Sequence, residues 1–189
     1  IVRYVGSGEG IPAIDADQTT GAPDPHLWID PLAMKSVVAA LADQLKIDFG
    51  IDVSTRAMDV ENRLDALNTE VQGIIAQVPT DNRKLVTGHE SMGYFAQRYG
   101  FKLVGIIIPS LSSQASVSAA NIAALKRAIQ ENPVNAIFTE LGTSPAEATT
   151  IGEETGVKVV QLTTHALPSD GSYSTFLKNL ATVIADALK

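Results

Sequence analysis

Three histidines, His26, His89 and His165, are the only imidazoles in the chain, and each sits in a loop-like stretch next to the start of a helix. Imidazole nitrogen is the commonest protein ligand for zinc and related metals, and a tetrahedral site takes four donors. A single histidine in a loop is more often a bland polar residue than a ligand. Here two of them follow apolar, strand-like runs: His89 after KLVTG and His165 after VKVVQL in LTTHALPSDG. Glu140 follows a third run, AIFT. In an open parallel sheet the ends of such strands converge and ligands bind beyond them. Three histidines with one carboxylate, a water or a missing fourth donor would make a metal site. His26, in APDPHLWIDP, would join it from a separate segment preceding the first helix.

The elements that must position these residues are legible in outline. DPLAMKSVVAALADQLKIDFG reads as a helix from Pro31, capped by Asp30 and closed near Gly50. Ala57, Val60, Leu64, Leu67, Val71, Ile74 and Val78 step by three and four, one apolar stripe on a helix of roughly six turns. It is capped near Ser54 and stopped by Pro79. Such a helix suits either a strut across two packed bodies or an ordinary surface position. Beyond it, strands are expected at 84–87, 102–108, 134–139 and 157–162, and helices at 91–99, 117–131, 145–154 and 173–188. Strand alternating with helix means βαβ units and a parallel sheet flanked by helices. The continuous apolar strands suit burial on both faces. Residues 1–25 read as a short strand and then loop, punctuated by glycine and proline.

Composition narrows the function classes. Of 189 residues, 45% are hydrophobic and 19% charged, an ordinary globular balance. A net charge of −7 argues against non-specific nucleic-acid binding, which needs a positive field. The absence of cysteine removes thiol catalysis, disulfides and thiolate metal sites. No apolar run is long enough to span a membrane. The chain opens at Ile1 on IVRYVGSGEGIP, from which a processed or truncated start is expected. GSGEG lacks the GK[ST] ending of a phosphate loop. GHESMG is not a nucleophile elbow, and His89-Glu90 does not continue into H-E-x-x-H. A hydrolytic metal site with Glu90 or Glu140 as general base stays open.

With these residues in hand, the chain resembles the metal-binding (cluster A-I) solute-binding proteins of bacterial ABC importers for zinc and manganese. DPHLWIDP resembles the family's DPHxWLDP signature. TGHESMGYFAQRYG, IFTELGTSP and LTTHALPSDGSYSTFLKNL resemble three further family segments in the same order, so the resemblance covers essentially the whole chain. It implies two α/β lobes joined by one long rigid helix, with the metal between them. Residues 1–50 would then be the remnant of an N-terminal lobe, 51–79 the linker helix, and 80–189 the C-terminal α/β lobe. Roughly a hundred residues of the family's N-terminus, with its first ligand histidine, have no counterpart here.

By position, His26 and His89 match the family's second and third ligands. His165 occupies the fourth, where the family usually has Asp, with Asp170 as a fallback carboxylate. Glu140 matches an acidic residue that would hold a ligand histidine from behind. Histidine at positions 89 and 165 points to zinc ahead of manganese. The resemblance implies an extracytoplasmic protein, periplasmic or lipid-anchored outside this chain. It would capture Zn2+ or Mn2+ as transported cargo and deliver it to a membrane permease, without enzymatic turnover or a nucleic-acid partner. With the first ligand absent, weak binding or an open coordination position is expected. The alternatives are a metal-dependent hydrolase and a surface adhesin of the same family.

Overall fold

The computed structural model describes residues 24–108, 118–140 and 144–189. The strand-then-loop expectation for residues 1–25 falls almost entirely outside them. From residue 24 a short irregular strap leads through a 3-10 turn at Leu27–Ile29 into α1 (Pro31–Phe49) and α2 (Ser54–Ile75). Four βα units follow: β1 (Lys84–His89) and α3 (Gly93–Tyr99), β2 (Lys102–Ile108) and α4 (Ala119–Glu131), β3 (Ala136–Thr139) and α5 (Pro145–Thr155), β4 (Lys158–Gln161) and α6 (Tyr173–Leu188).

The helix ends have clear causes. Asp30 accepts the Leu32 N–H with Pro31 in the first turn, and Gly50 closes α1 at φ 66, a left-handed position that glycine takes at little cost. Ser118, Ser144 and Ser172 cap α4, α5 and α6 through their hydroxyls. Ser54 is not a cap. It is the first helical residue of α2, and its N–H is received by Asp52. α2 stops at Ile75, short of the expected end at Pro79; its apolar stripe buries Ala57, Leu64, Leu67, Val71 and Ile75, Val78 is buried just beyond the helix, and Val60 stays exposed. Ile75 has replaced Ile74 on the buried line because the 3.6-residue period drifts from a strict three–four alternation.

β1 pairs in parallel with β2, and β3 with β4. The expected single parallel sheet is thus two two-stranded ladders; β1 of one lies beside β3 of the other without a ladder between them, which gives the spatial order β2-β1-β3-β4 across the layer. The chain therefore winds outward to one side from β1 and to the other from β3, and the gap between their ends is a switch point of the kind where ligands bind in doubly wound sheets. Both faces of this layer are covered. Leu85, Ala136 and Phe138 pack into a core with α2, α3 and α6, while Val86 and Ile137 pack into a second core with α4 and α5. Alternate residues of one strand thus serve opposite faces. α6 contributes Leu177, Leu180, Ile184 and Leu188, all but fully buried, each worth about 1.5–3 kcal/mol.

α1 rests on α2, and α2 in turn on α6. Leu41, Ile47, Phe49, Ile51 and Val60 remain exposed around the α1–α2 pair. Among the described residues, no helix is long and apolar enough to cross a membrane.

Candidate metal centre

β1 ends on His89, and the backbone there is fixed from two sides. The carbonyl of His89 accepts the Thr87 hydroxyl at 3.0 Å and the Ser91 N–H at 2.8 Å. The chain turns sharply and the ring is left at the sheet edge, 1% exposed. Met92, Tyr94 and Phe95, immediately after, are buried in the core. Glu140 follows β3 directly, is 2% exposed, and sets Oε2 against Nδ1 of His89. The two residues meet across the β1–β3 switch point.

His26 reaches the same place from the strap. Asp24 receives both the backbone N–H of His26, at 2.8 Å, and its Nδ1, at 2.7 Å, with both side chains buried. The strap is tied down along its length. The Tyr94 hydroxyl donates to the Asp24 carbonyl, Trp28 Nε1 to the Thr164 carbonyl at 2.8 Å, and Tyr173 to the Trp28 carbonyl at 2.8 Å. Arg98 grips both oxygens of Asp30 at 2.9–3.0 Å. A bidentate guanidinium–carboxylate pair of this kind fixes orientation as well as distance.

His165 follows β4 in the loop that precedes α6. Its backbone is placed by Leu162, whose N–H continues the β3–β4 ladder to Thr139 at 2.7 Å, and by buried Thr164. The Thr164 hydroxyl lies 2.7 Å from Nδ1 of His165. This ring stands on the solvent side of the group. Partial burial, and then the neighbouring His89 and His26, push its pKa below the ordinary histidine value.

The three imidazoles converge. Ring centroids are 5.1 Å apart for His26–His89, 5.3 Å for His89–His165 and 5.7 Å for His26–His165, and one ligand-capable nitrogen from each falls within 4.8 Å of the others. Trp28, the one tryptophan, covers the group at 5.3 Å from His26 and 5.6 Å from His165. Nitrogen donors at this mutual spacing surround a point that one ion would share, a chemistry suited to a borderline metal. Glu140 stands behind His89 rather than beside the convergent nitrogens. Asp170 is elsewhere: its carboxylate takes the Ser172 N–H and the Thr175 hydroxyl at the start of α6, which pulls its pKa below the usual carboxylate range.

Sequence reasoning passed over Asp24, Trp28 and Thr164, all in contact with the imidazoles or the loops that carry them. The signals were local: an Asp two residues before a histidine can bridge back to its backbone N–H, and a Thr beside a histidine can reach its ring.

The chain is similar to known proteins in sequence and fold. The zinc-binding lipoprotein AdcA of Streptococcus pneumoniae is 32% identical over 138 residues, 71% of this chain and 27% of that protein. The high-affinity zinc uptake system protein ZnuA of Paracoccus denitrificans is 28% identical over 172 residues, 87% of this chain and 52% of that protein. The chain thus spans between about a quarter and about a half of these relatives' lengths. A crystal structure of ZnuA superposes with a TM-score of 0.78 at 26% identity, covering 96% of this chain and 68% of that one. A manganese-bound periplasmic metal-binding protein from Candidatus Liberibacter asiaticus shares the fold, with a TM-score of 0.79 at 18% identity over 96% of this chain and 69% of that one. The family model described as the periplasmic zinc-uptake complex component A, ZnuA, matches residues 3–187, and the chain belongs to that family.

Proposed function

We propose that this chain binds a divalent metal ion outside the cytoplasm, zinc in preference to manganese, and delivers it to the membrane permease of an ABC importer. The observation that carries the reading is the convergence of His26, His89 and His165, three residues distant in sequence, on one point. An all-imidazole donor set favours zinc over manganese, and zinc is the metal in the names of both relatives above. Three protein donors leave a fourth tetrahedral position for water or another donor, which suits cargo that must leave again.

The same reading treats residues 1–50 as part of one lobe, 51–79 as the connecting helix and 80–189 as the other lobe. The contacts of α2 with α1 and with α6 support it. The strap carrying His26 belongs to the first of these in sequence, yet its hydrogen bonds go to Arg98, Thr164 and Tyr173 of the third. The His26, His89 and His165 donors are therefore held on one body.

A hydrolase would need a carboxylate beside the ion to activate water. Glu140 sits behind the ring of His89 instead, which supports binding without turnover. Isothermal titration of the chain with zinc at neutral pH tests the proposal. A one-to-one exothermic or endothermic isotherm is expected, lost in His89→Ala. The absence of any isotherm, or an unchanged one in His89→Ala, would overturn it.

A further inference from the structure

Each of the three imidazoles has an oxygen set against the same ring atom. Nδ1 of His26 faces Asp24 Oδ1 at 2.7 Å, Nδ1 of His89 faces Glu140 Oε2, and Nδ1 of His165 faces Thr164 Oγ1 at 2.7 Å. The oxygens come from unrelated places: two residues upstream of the first histidine, the end of a different strand for the second, the preceding residue for the third. A neutral imidazole carries its hydrogen on one nitrogen and its lone pair on the other, and the hydrogen bond at one decides which. A carboxylate only accepts, so opposite Asp24 and Glu140 the hydrogen lies on Nδ1 and the lone pair on Nε2; a hydroxyl accepts or donates, so Thr164 allows the same tautomer at His165 without imposing it.

Resting on the metal-binding reading above, we propose that Asp24 and Thr164 are positioning residues. Asp24 and Glu140 hold His26 and His89 in the Nδ1–H tautomer, and Thr164 acts as an acceptor toward His165 Nδ1, so that three Nε2 lone pairs meet at the metal position before any ion arrives. Asp24 is well placed for this. It is 6% exposed, and its Oδ1 already accepts the His26 backbone N–H at 2.8 Å, so it acts as an acceptor and has one orientation. Thr164 is 1% exposed, and its backbone carbonyl is clamped by Trp28 Nε1, which fixes the residue bearing the hydroxyl. Two buried carboxylates behind neutral ligands also bring negative charge close to a divalent cation without occupying a coordination position. That role suits a site in which His165 stands where relatives of this kind are expected to use Asp.

The two residues can be separated from mere structural support. Asp24→Asn keeps an acceptor oxygen for both the backbone N–H and Nδ1 but removes the charge, whereas Asp24→Ala removes both. Thr164→Val keeps the side-chain shape and the backbone bond to Trp28 but removes the hydroxyl. Nitrogen NMR of the metal-free protein at about pH 8, where imidazole is neutral, reads the tautomer of each histidine directly and requires no metal. We expect the Nδ1–H form for His26 in the wild type and in Asp24→Asn, and a shift toward Nε2–H in Asp24→Ala. We expect the same shift for His165 in Thr164→Val. Zinc titration of the same proteins should show about a 10–100-fold weaker Kd for Asp24→Ala, as for other lost partners behind a ligand, with Asp24→Asn between it and the wild type. Thermal melts and Trp28 emission report whether each variant is folded, and Asp24→Asn and Thr164→Val keep the test usable if Asp24→Ala is not. Unchanged tautomers in Asp24→Ala and Thr164→Val would overturn the proposal. A wild type that shows the Nδ1–H forms but no zinc binding would instead overturn the metal-binding reading and leave the tautomer assignment standing.

Discussion

At the scale of single residues, the character of the proposed site turns on His165. An Asp there would add an anionic oxygen donor; His165 adds a neutral nitrogen. Protons compete with a metal for imidazole, so the proposed binding should be complete with the rings neutral and lost as pH falls. Partial burial and its histidine neighbours lower the His165 pKa, so this ring stays neutral and competent somewhat below the ordinary value of about 6.5. His165→Asp should bind zinc more weakly and manganese relatively better, because carboxylate oxygen suits manganese. It should also release up to one proton fewer per zinc bound near pH 6, as carboxylates titrate far lower. Titrations with both metals in buffers of different ionisation enthalpy read both effects; an unchanged zinc-to-manganese ratio would remove His165 from the proposed ligand set. That His89 and His165 would share an edge was legible because both follow apolar runs. The partners Asp24 and Thr164 were not, since a bond spanning one or two residues leaves no period in a sequence.

At the scale of elements, the strap at residues 24–30 shows how a non-repetitive segment is made rigid. Asp30 is the hinge of that arrangement: it caps α1 through the Leu32 N–H and pairs in two-pronged fashion with Arg98 on α3. It is 2% exposed whereas the Arg98 side chain is 29% exposed, so removing its charge would leave a partly solvated guanidinium without its buried partner. Hydrogen bonding to Asp30 raises the Arg98 pKa further still, so the guanidinium stays charged at any working pH. Asp30→Ala should cost about 2–4 kcal/mol, of which about 1 is the lost cap and the remainder the broken charged hydrogen bonds. Asp30→Asn should cost less, because an amide oxygen can still cap. Chemical denaturation of the two variants beside Arg98→Ala checks this, and equal losses for Asn and Ala would refute the division.

Cap, proline and glycine signals placed α1 within a residue of its bounds, and α6 was read at its observed bounds. Strand β1 runs two residues past its expected end, to His89, because parallel pairing with Ile108 on β2 carries the ladder through Gly88. The order β2-β1-β3-β4, and with it the position of Glu140 beside His89, depends on which strands pair. Pairing is a long-range choice that no single strand's pattern encodes.

At the scale of the whole molecule, the three imidazoles lie at positions 26, 89 and 165, so only the folded chain brings them together. They also bridge the structure: the strap leads into α1 and is bonded to α3, β1 lies beside both β2 and β3, and the β4–α6 loop leads into a helix of the larger core. An ion held by all three therefore links the strap to the sheet and the sheet to α6, and unfolding any of these parts releases it. Binding that is confined to the native state stabilises by about 2.7 kcal/mol when free metal is 100 times Kd. For a chain of this size that corresponds to a rise in Tm of about 5–11 °C. Zinc should produce such a rise in a calorimetric melt, growing with the logarithm of its concentration. His26→Ala, His89→Ala and His165→Ala should each reduce it, His165 least, since it is the most exposed of the three. A Tm unaffected by zinc at saturating concentration would mean that the ion does not join these parts, whatever its affinity. A rise that survived all three substitutions would place the stabilising ion away from the imidazoles altogether.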